Sequence, residues 1–397
     1  MLVSPIHFTG RTEYLHSQGA TKKEALKNIE NELRQAHTAR MAYINAPNYQ
    51  ASLTRADDGG ISFKYTLDGE PADVKNNPIT PKHITNLLEN FYRMDKIGFY
   101  HRDLTSEHIF YAKNGKVQID SFSSASKFQN INGEFTCNNP NIPPFIMPSN
   151  TDSFEAQGLY DYIDNIEDEK EQFNFIKNYL VQKSDYHNSR AKLLLSEGFD
   201  SSSKAVMFEK AKAEAYENPS DDVVTFEKTK LEVNYISKEA DKMWKTGKGL
   251  KDGKLRPKKC FIAGCLMLYA LKLSTELKSK TDTLTQNANK PCDRKYFEYQ
   301  RECVELLGTN IFNKTKEICS SNFSNINYGT KGLFLGTPEE EQSFKKCLEQ
   351  INMNENYVNT FYSIDKLLKS YAELTNNWTP ENNALHKREY TSKASVS

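Results

Sequence analysis

Between Ile97 and Phe122 lies a run in which acids, imidazoles and a guanidinium are spaced for chemistry. It reads Ile97-Gly98-Phe99-Tyr100-His101-Arg102-Asp103-Leu104-Thr105-Ser106-Glu107-His108-Ile109-Phe110, then Val117-Gln118-Ile119-Asp120-Ser121-Phe122. Asp103 falls in a loop after an aromatic pair, and Asp120 closes a short apolar strand. Asn114-Gly115 between them favours a tight hairpin over 107–112 and 116–120, which would return the second acid toward the first. Two carboxylates converging across such a bend suit a divalent cation and a phosphate chain, with one of them left to orient a hydroxyl. His108 adds an imidazole able to ligate a metal, though Mg²⁺ prefers oxygen; it fits equally well as a strand-capping histidine that binds nothing.

These residues need elements to hold them. Thr80 to Lys96 spaces Ile84, Leu87, Leu88, Phe91 and Met94 on one helical face, and this helix delivers the chain into the His-Arg-Asp loop. Upstream, residues 21–44 favour a helix, with Thr21 and Glu24 forming a capping box and Ala25, Ile29, Leu33 and Ala36 at helical spacing. Strands follow at about 50–55 and 61–67, joined by Asp57-Asp58-Gly59-Gly60. Residues 123–150, with Asn and Pro clustered at 138–150, read as irregular, and helical patterns return from Asp152 to about Leu195. Ser201-Ser202-Ser203 and 217–222 look like linkers. Beyond them the pattern is helical, broken at 246–259 and 321–338, and the tail from about Glu381 is expected to be disordered.

Composition excludes several classes. At 397 residues there is room for two or three domains, and 52 basic residues against 52 acidic ones leave no global field to draw the chain to nucleic acid or anionic membrane. Apolar content of 38% points to wet helices and polar loops rather than one large core. The seven cysteines contain no CxxC pair, so they read as scattered free thiols of a reducing compartment, with disulfides in the last hundred residues left open. Met1-Leu2-Val3-Ser4-Pro5 is unlike a signal peptide. The longest apolar stretch, 260–271, is too short to span a bilayer and reads as a buried helix of a soluble chain. Lys245, Lys248, Lys251, Lys254, Arg256, Lys258 and Lys259 form a basic loop that fits a solvated surface, or a contact with phosphate or an acidic partner.

Residues from roughly 1 to 200 resemble the protein-kinase superfamily. The expected fold is α+β: a kinase-like bilobal domain over 1–200, with a reduced N-lobe (1–78) and a C-lobe (79–200), then an all-α domain over 201–380 and the tail. The resemblance implies Asp103 as catalytic base, Arg102 as a phosphate-meeting residue, His101 as a strut, and Asp120 with His108 as ligands of Mg²⁺ or Mn²⁺ beside ATP. It places Glu32 (or Glu30) as the regulatory-helix glutamate and Lys64-Tyr65-Thr66-Leu67 at the adenine hinge. Asp152-Ser153-Phe154 with Gly158 resembles the helix whose buried aspartate braces the catalytic loop.

The chain departs from the family pattern at three places. His108 stands where asparagine is usual, as in the similar lipopolysaccharide-core sugar kinases. Asp120-Ser121-Phe122 replaces Asp-Phe-Gly. No Gly-rich loop precedes the first helix, and counting back from Glu32 the lysine strand position holds Ser4-Pro5-Ile6-His7, leaving Lys22 or Lys23 as substitutes, or a start inside a longer gene. A degenerate small lobe and a trailing helical domain resemble kinases delivered by bacterial secretion systems into host cytoplasm; otherwise the protein would be cytoplasmic. Transfer of phosphate to Ser/Thr of a host protein is the implied activity. A pseudokinase scaffold, a sugar or lipid kinase, AMP transfer, and an unrelated α+β domain with Arg102 and Asp103 as a surface ion pair stay open.

Overall fold

The structure is a computed structural model and describes residues 4–7, 12–17, 22–55, 61–131, 134–136, 146–247, 249 and 257–322. The N-terminal part is an antiparallel sheet with one helix inserted in its order: β1 (Ser4–His7), β2 (Thr12–Ser17), α1 (Lys22–Met41), β3 (Asn48–Arg55) and β4 (Ile61–Thr66). The strands run β1-β2-β4-β3, with a register shift in β3 between Gln50 and Leu53. The strand directly before α1 is therefore β2, whereas counting back from Glu32 had placed Ser4–His7 there. Ile29, Ala36 and Ala39 bury one stripe of α1. The capping box expected at Thr21 and Glu24 lies outside the described residues.

After β5 (Glu70–Pro71), α2 (Pro81–Lys96) starts at Thr80, whose hydroxyl accepts from the His83 backbone N–H at 3.3 Å. His83 completes the box in place of the usual Glu or Gln: its Nδ1 accepts from the Thr80 N–H and its Nε2 lies 2.7 Å from the Ala112 carbonyl. Ile84, Leu87, Leu88, Phe91 and Met94 are all buried, as their spacing predicted. The chain continues through β6 (Phe99–Tyr100), a 3₁₀ turn at Ser106–His108, β7 (Ile109–Tyr111) and β8 (Val117–Ile119). Gly115, at φ 89°, makes the β7–β8 bend, and Asn114 Oδ1 accepts from Lys116 N–H within it. Three short strands, β9 (Ser126–Lys127), β10 (Gln129–Ile131) and β11 (Glu134–Thr136), lie in the segment expected to be irregular. At two or three residues each they are too short for alternation to register in sequence.

Helices make up the rest: α3 (Asn150–Phe154), a π turn at Glu155–Leu159, α4 (Tyr160–Ile163), α5 (Glu169–Ser196), α6 (Lys204–Glu217), α7 (Asp221–Gly247), α8 (Pro257–Asn287) and α9 (Pro291–Asn322). Asp168 and Ser203 cap α5 and α6 by accepting from Glu171 and Val206 N–H. The protein is thus α+β in a loose sense, mostly helical with a few small antiparallel sheets.

Two compact units are present: residues 1–231 with 284–300, and 232–283 with 301–397. In the first, α5 and α6 pack together over Leu193, Leu194, Ala205, Val206 and Met147. In the second, Trp244, Leu266, Met267, Leu271, Leu277 and Val304 are buried, which places the described part of the 260–271 apolar run in a helical core. Cys292 is a free thiol. Lys245 pairs with Asp241; Lys248, Lys251, Lys254 and Arg256 lie outside the described residues, as does the 381–397 tail, while Lys258 and Lys259 fall in the first turn of α8. Among the described residues no helix is long and apolar enough to cross a membrane.

Between α5 and α6, His187 is fully buried with Nδ1 2.6 Å from Glu209 Oε2. Burial, helped by Lys212 and Lys183 and opposed by Glu209, lowers its pKa to about 3. A histidine that binds its proton more readily when unfolded favours the fold above its ordinary pKa near 6.5, and that contribution drains away as pH falls from there toward 3. The unfolding free energy measured in urea should therefore decline below pH 6.5 with a share of about 1.4 kcal/mol per pH unit from this group. His187→Gln, which keeps a donor for Glu209 without the titration, should flatten that decline; an unchanged slope would count against buried neutral His187.

Candidate functional site

His101, Arg102 and Asp103 leave β6 in a loop whose backbone turns left-handed at Arg102, φ 73°. A side chain at positive φ costs free energy, so the surroundings must impose it. They do so at several atoms. Asn150 Oδ1 accepts from His101 N–H at 2.9 Å, and Gln157 Nε2 reaches the Arg102 carbonyl at 3.4 Å. Gly158 presses so closely that a Cβ there would meet the Leu104 carbonyl and the Ser106 nitrogen at 3.1 Å each. The π turn brings Gln157 and Gly158 to the loop while Asn150 reaches it from the start of α3.

His101 is itself buried between that loop and the strand end. Its Nδ1 accepts a long bond from Asp103 N–H, and its Nε2 lies 2.8 Å from the Asp120 carbonyl. Burial lowers its pKa to about 4, so a neutral ring donates to that carbonyl at neutral pH. Phe122 packs edge-on against His101 with centroids 4.9 Å apart, and Ser121 before it takes φ 61°. From α1, Glu32 Oε1 accepts from Phe122 N–H at 2.9 Å and Asn31 Nδ2 donates to the Ser123 carbonyl. The segment after Asp120 is thus pinned from two sides.

The carboxylates meet at His108. Its Nδ1 lies 3.0 Å from Asp120 Oδ1 and its Nε2 3.9 Å from Asp103 Oδ2. Asp103 keeps 27% of its side chain exposed, His108 12%, and Asp120 none, so the three run from the surface inward. Burial works to lower the His108 pKa, but the hydrogen bond and charge of Asp120, with Asp103 and Glu107, outweigh it and raise the group above its ordinary value. Asp120 and His108 supply one carboxylate and one imidazole. Among the described residues no cluster of three or more His, Cys, Asp or Glu forms a metal cage. Two protein donors nevertheless suit a divalent ion completed by water and phosphate oxygens, as Mg²⁺ is commonly held.

Against the sequence expectations, His101, Asp103, His108 and Asp120 come together, and Glu32 joins them through Phe122. Arg102 is exposed, and its carbonyl accepts from Gln157 Nε2. Leu67 is buried, and Asp68 N–H beside it donates to Gln118 Oε1 of β8 at 2.7 Å. Lys64 and Tyr65 register in β4 with Tyr14 and Glu13 of β2; their side chains lie outside the described part. No protein-family model matches the chain, and no curated protein matches it in sequence.

The bracing set was only partly visible in sequence. Asn150, not Asp152, reaches the loop, and its Nδ2 donates to Asp95 Oδ1 at 2.7 Å and to the Phe99 carbonyl. Asp95 sits on the buried stripe of α2, an acid four residues after Phe91, which was the one available signal. It accepts from Tyr186 and, at 2.7 Å, from Arg190 Nη1, both on α5. Arg190 Nε in turn donates to Glu209 Oε1 of α6 at 3.0 Å. Of the two acids that share this guanidinium, burial dominates at Asp95 and raises its pKa; at Glu209 burial is outweighed by Arg190 and His187, and the pKa falls. A second brace joins Lys183 and Tyr179 of α5 to Glu155 at the head of the π turn.

The His108 pKa gives a direct check. Nitrogen-15 NMR of histidine-labelled protein should show His108 titrating above its ordinary value, and Asp120→Asn should lower it, since the hydrogen bond and charge of Asp120 then no longer oppose burial. A His108 resonance that ignores the substitution would refute the pairing.

Proposed function

We propose that the protein transfers the γ-phosphoryl group of ATP to a hydroxyl, with Asp103 as the base that takes the hydroxyl proton. The observation that carries this reading is His108 in reach of both Asp103 and Asp120, which brings a half-exposed acid and a buried acid to one place. In this scheme the acceptor oxygen bonds to the γ-phosphorus, its proton passes to Asp103, and the bond from the γ-phosphorus to the bridging oxygen breaks to release ADP. A bound Mg²⁺ or Mn²⁺ would neutralise phosphate charge; Asp120 would hold it, with His108 beside it once deprotonated. Because the ion and the proton on His108 compete, metal–nucleotide binding should tighten as pH rises through the raised His108 pKa.

The element order supports a kinase-like frame. α1 precedes β3 and β4, which match the fourth and fifth small-lobe strands, so β2 takes the place of the third, in which the phosphate-clamping lysine belongs. That strand reads Thr12-Glu13-Tyr14-Leu15-His16-Ser17 and contains no lysine. The phosphates would then rest on the cation and on side chains from other elements. Protein Ser/Thr hydroxyls of a host cell, reached by a bacterial secretion system, are the acceptors that the kinase resemblance favours, and the second unit would select the partner.

One observation favours a second reading: Asp120 is wholly buried against His108. In a non-catalytic scaffold that pair would stay shut and the shell would serve as a binding surface.

Incubation with radiolabelled ATP and Mg²⁺ or Mn²⁺ separates these. An enzyme should label a protein acceptor, and Asp103→Ala should cut the rate by about 10²–10⁴-fold. Label in a sugar or lipid fraction would move the acceptor class. No transfer with either metal, together with a cellular effect that persists in Asp103→Ala, would establish the scaffold.

A further inference from the structure

A chain of buried polar contacts runs from the His-Arg-Asp loop into α6, through residues that take no part in the phosphoryl transfer proposed above. His101 N–H donates to Asn150 Oδ1 at 2.9 Å, Asn150 Nδ2 donates to Asp95 Oδ1 at 2.7 Å, and Arg190 Nη1 donates to Asp95 Oδ2 at 2.7 Å. Arg190 Nε donates to Glu209 Oε1 at 3.0 Å, and His187 Nδ1 holds the other Glu209 oxygen. Every member is buried, Asp95, Asn150 and Arg190 to within 1% exposure, so water cannot substitute for a broken link.

The guanidinium is the junction. Its Nη2 donates to the Met147 carbonyl, its Nη1 also reaches the Pro148 carbonyl, and its Nε is taken by Glu209. A planar fork held at two corners has its third aimed by geometry, here at Asp95. Met147 and Pro148 lead directly into the Ser149 cap of α3, so the same guanidinium fixes both the acid that orients Asn150 and the backbone that carries it.

We infer that Glu209 and Arg190 are positioning residues for Asp103: the α5–α6 pair sets the catalytic loop through Asp95 and Asn150. The inference rests on the reading of Asp103 as the base. It makes α6 part of the phosphotransfer apparatus, so that a disturbance of α6 is transmitted to the loop without any contact at the nucleotide.

The test uses the full chain with Glu209→Leu, Glu209→Gln and Tyr186→Phe. Steady-state phosphate transfer gives kcat and the KM for ATP, and amide hydrogen exchange is followed at His101 and Asp103 with the α2 interior (Leu87 to Phe91) as reference. Glu209→Leu should lower kcat by about 10- to 100-fold with KM little changed, and loosen the two loop amides selectively. Glu209→Gln, which keeps an acceptor for Arg190 Nε, should restore most of both. Tyr186→Phe keeps every charge and removes one hydroxyl, which donates to Asp95 and also meets Ser149 Oγ and Arg190 Nη1, so it should fold even where Glu209→Leu does not, and shift both readouts in the same direction by a smaller factor. Loop amides that stay protected in Tyr186→Phe, or that loosen only in step with the α2 interior, would overturn the inference. If the wild-type chain transfers no phosphate, the catalytic reading falls, while the exchange data still decide whether α6 holds the loop.

Discussion

One buried cation answering two acids is the constraint beneath everything described in the first unit. Arg190 has no access to water, and burying a guanidinium is tolerable only where its donors are met and its charge is balanced. Asp95 and Glu209 balance it, and the Met147 and Pro148 carbonyls complete it. These partners come from α2, α6 and the segment before α3, so the ion group joins elements far apart in sequence. A hydrophobic residue of similar size could fill the same space, but it could not impose one direction on Asp95. Directionality is what a left-handed Arg102 requires, because the loop conformation is held at individual hydrogen-bonding atoms rather than by apolar area.

The chemistry-bearing residues are organised by depth. Asp103 is partly open, His108 nearly closed and Asp120 sealed, with the imidazole between the two carboxylates. His101 belongs to the same arrangement from below: neutral, buried and spanning the two acids' backbones, it ties the loop to the strand end without adding charge. Burial pushes both histidines down, and only at His108 do its neighbours outweigh it. His108 has carboxylates on both sides, whereas His101 meets a carbonyl and an amide.

What the sequence disclosed follows from how local each determinant is. The apolar face of α2, the Asn114-Gly115 bend and the acid at the end of β8 are set by neighbours a few residues away, and they appear where the pattern placed them. The strand before α1 was misplaced because β1 and β2 are short and carry few apolar residues, so distance along the chain had to stand in for pattern. Asp152 was preferred to Asn150 because an aspartate at family-like spacing is easy to see, while the facing of a helix start depends on its cap and on the turn that follows. Arg190 and Glu209 could be noticed as charges within helical stripes, but their partnership depends on how α5 lies on α6, which no short window contains.

The π turn at Glu155–Leu159 has a bearing on how such a site can change over generations. A π turn holds one residue more than the α-helical turn it replaces, so it acts as a phase shift: everything on one side is rotated by roughly 100° relative to everything on the other. Asn150 addresses the loop from before that shift and Gly158 from within it. Loss of a single codon within it would leave a regular helix, unchanged in composition and nearly in length, that could face the loop with one of those residues but not with both. Length, at this position, is under geometric control just as residue identity is at Gly158.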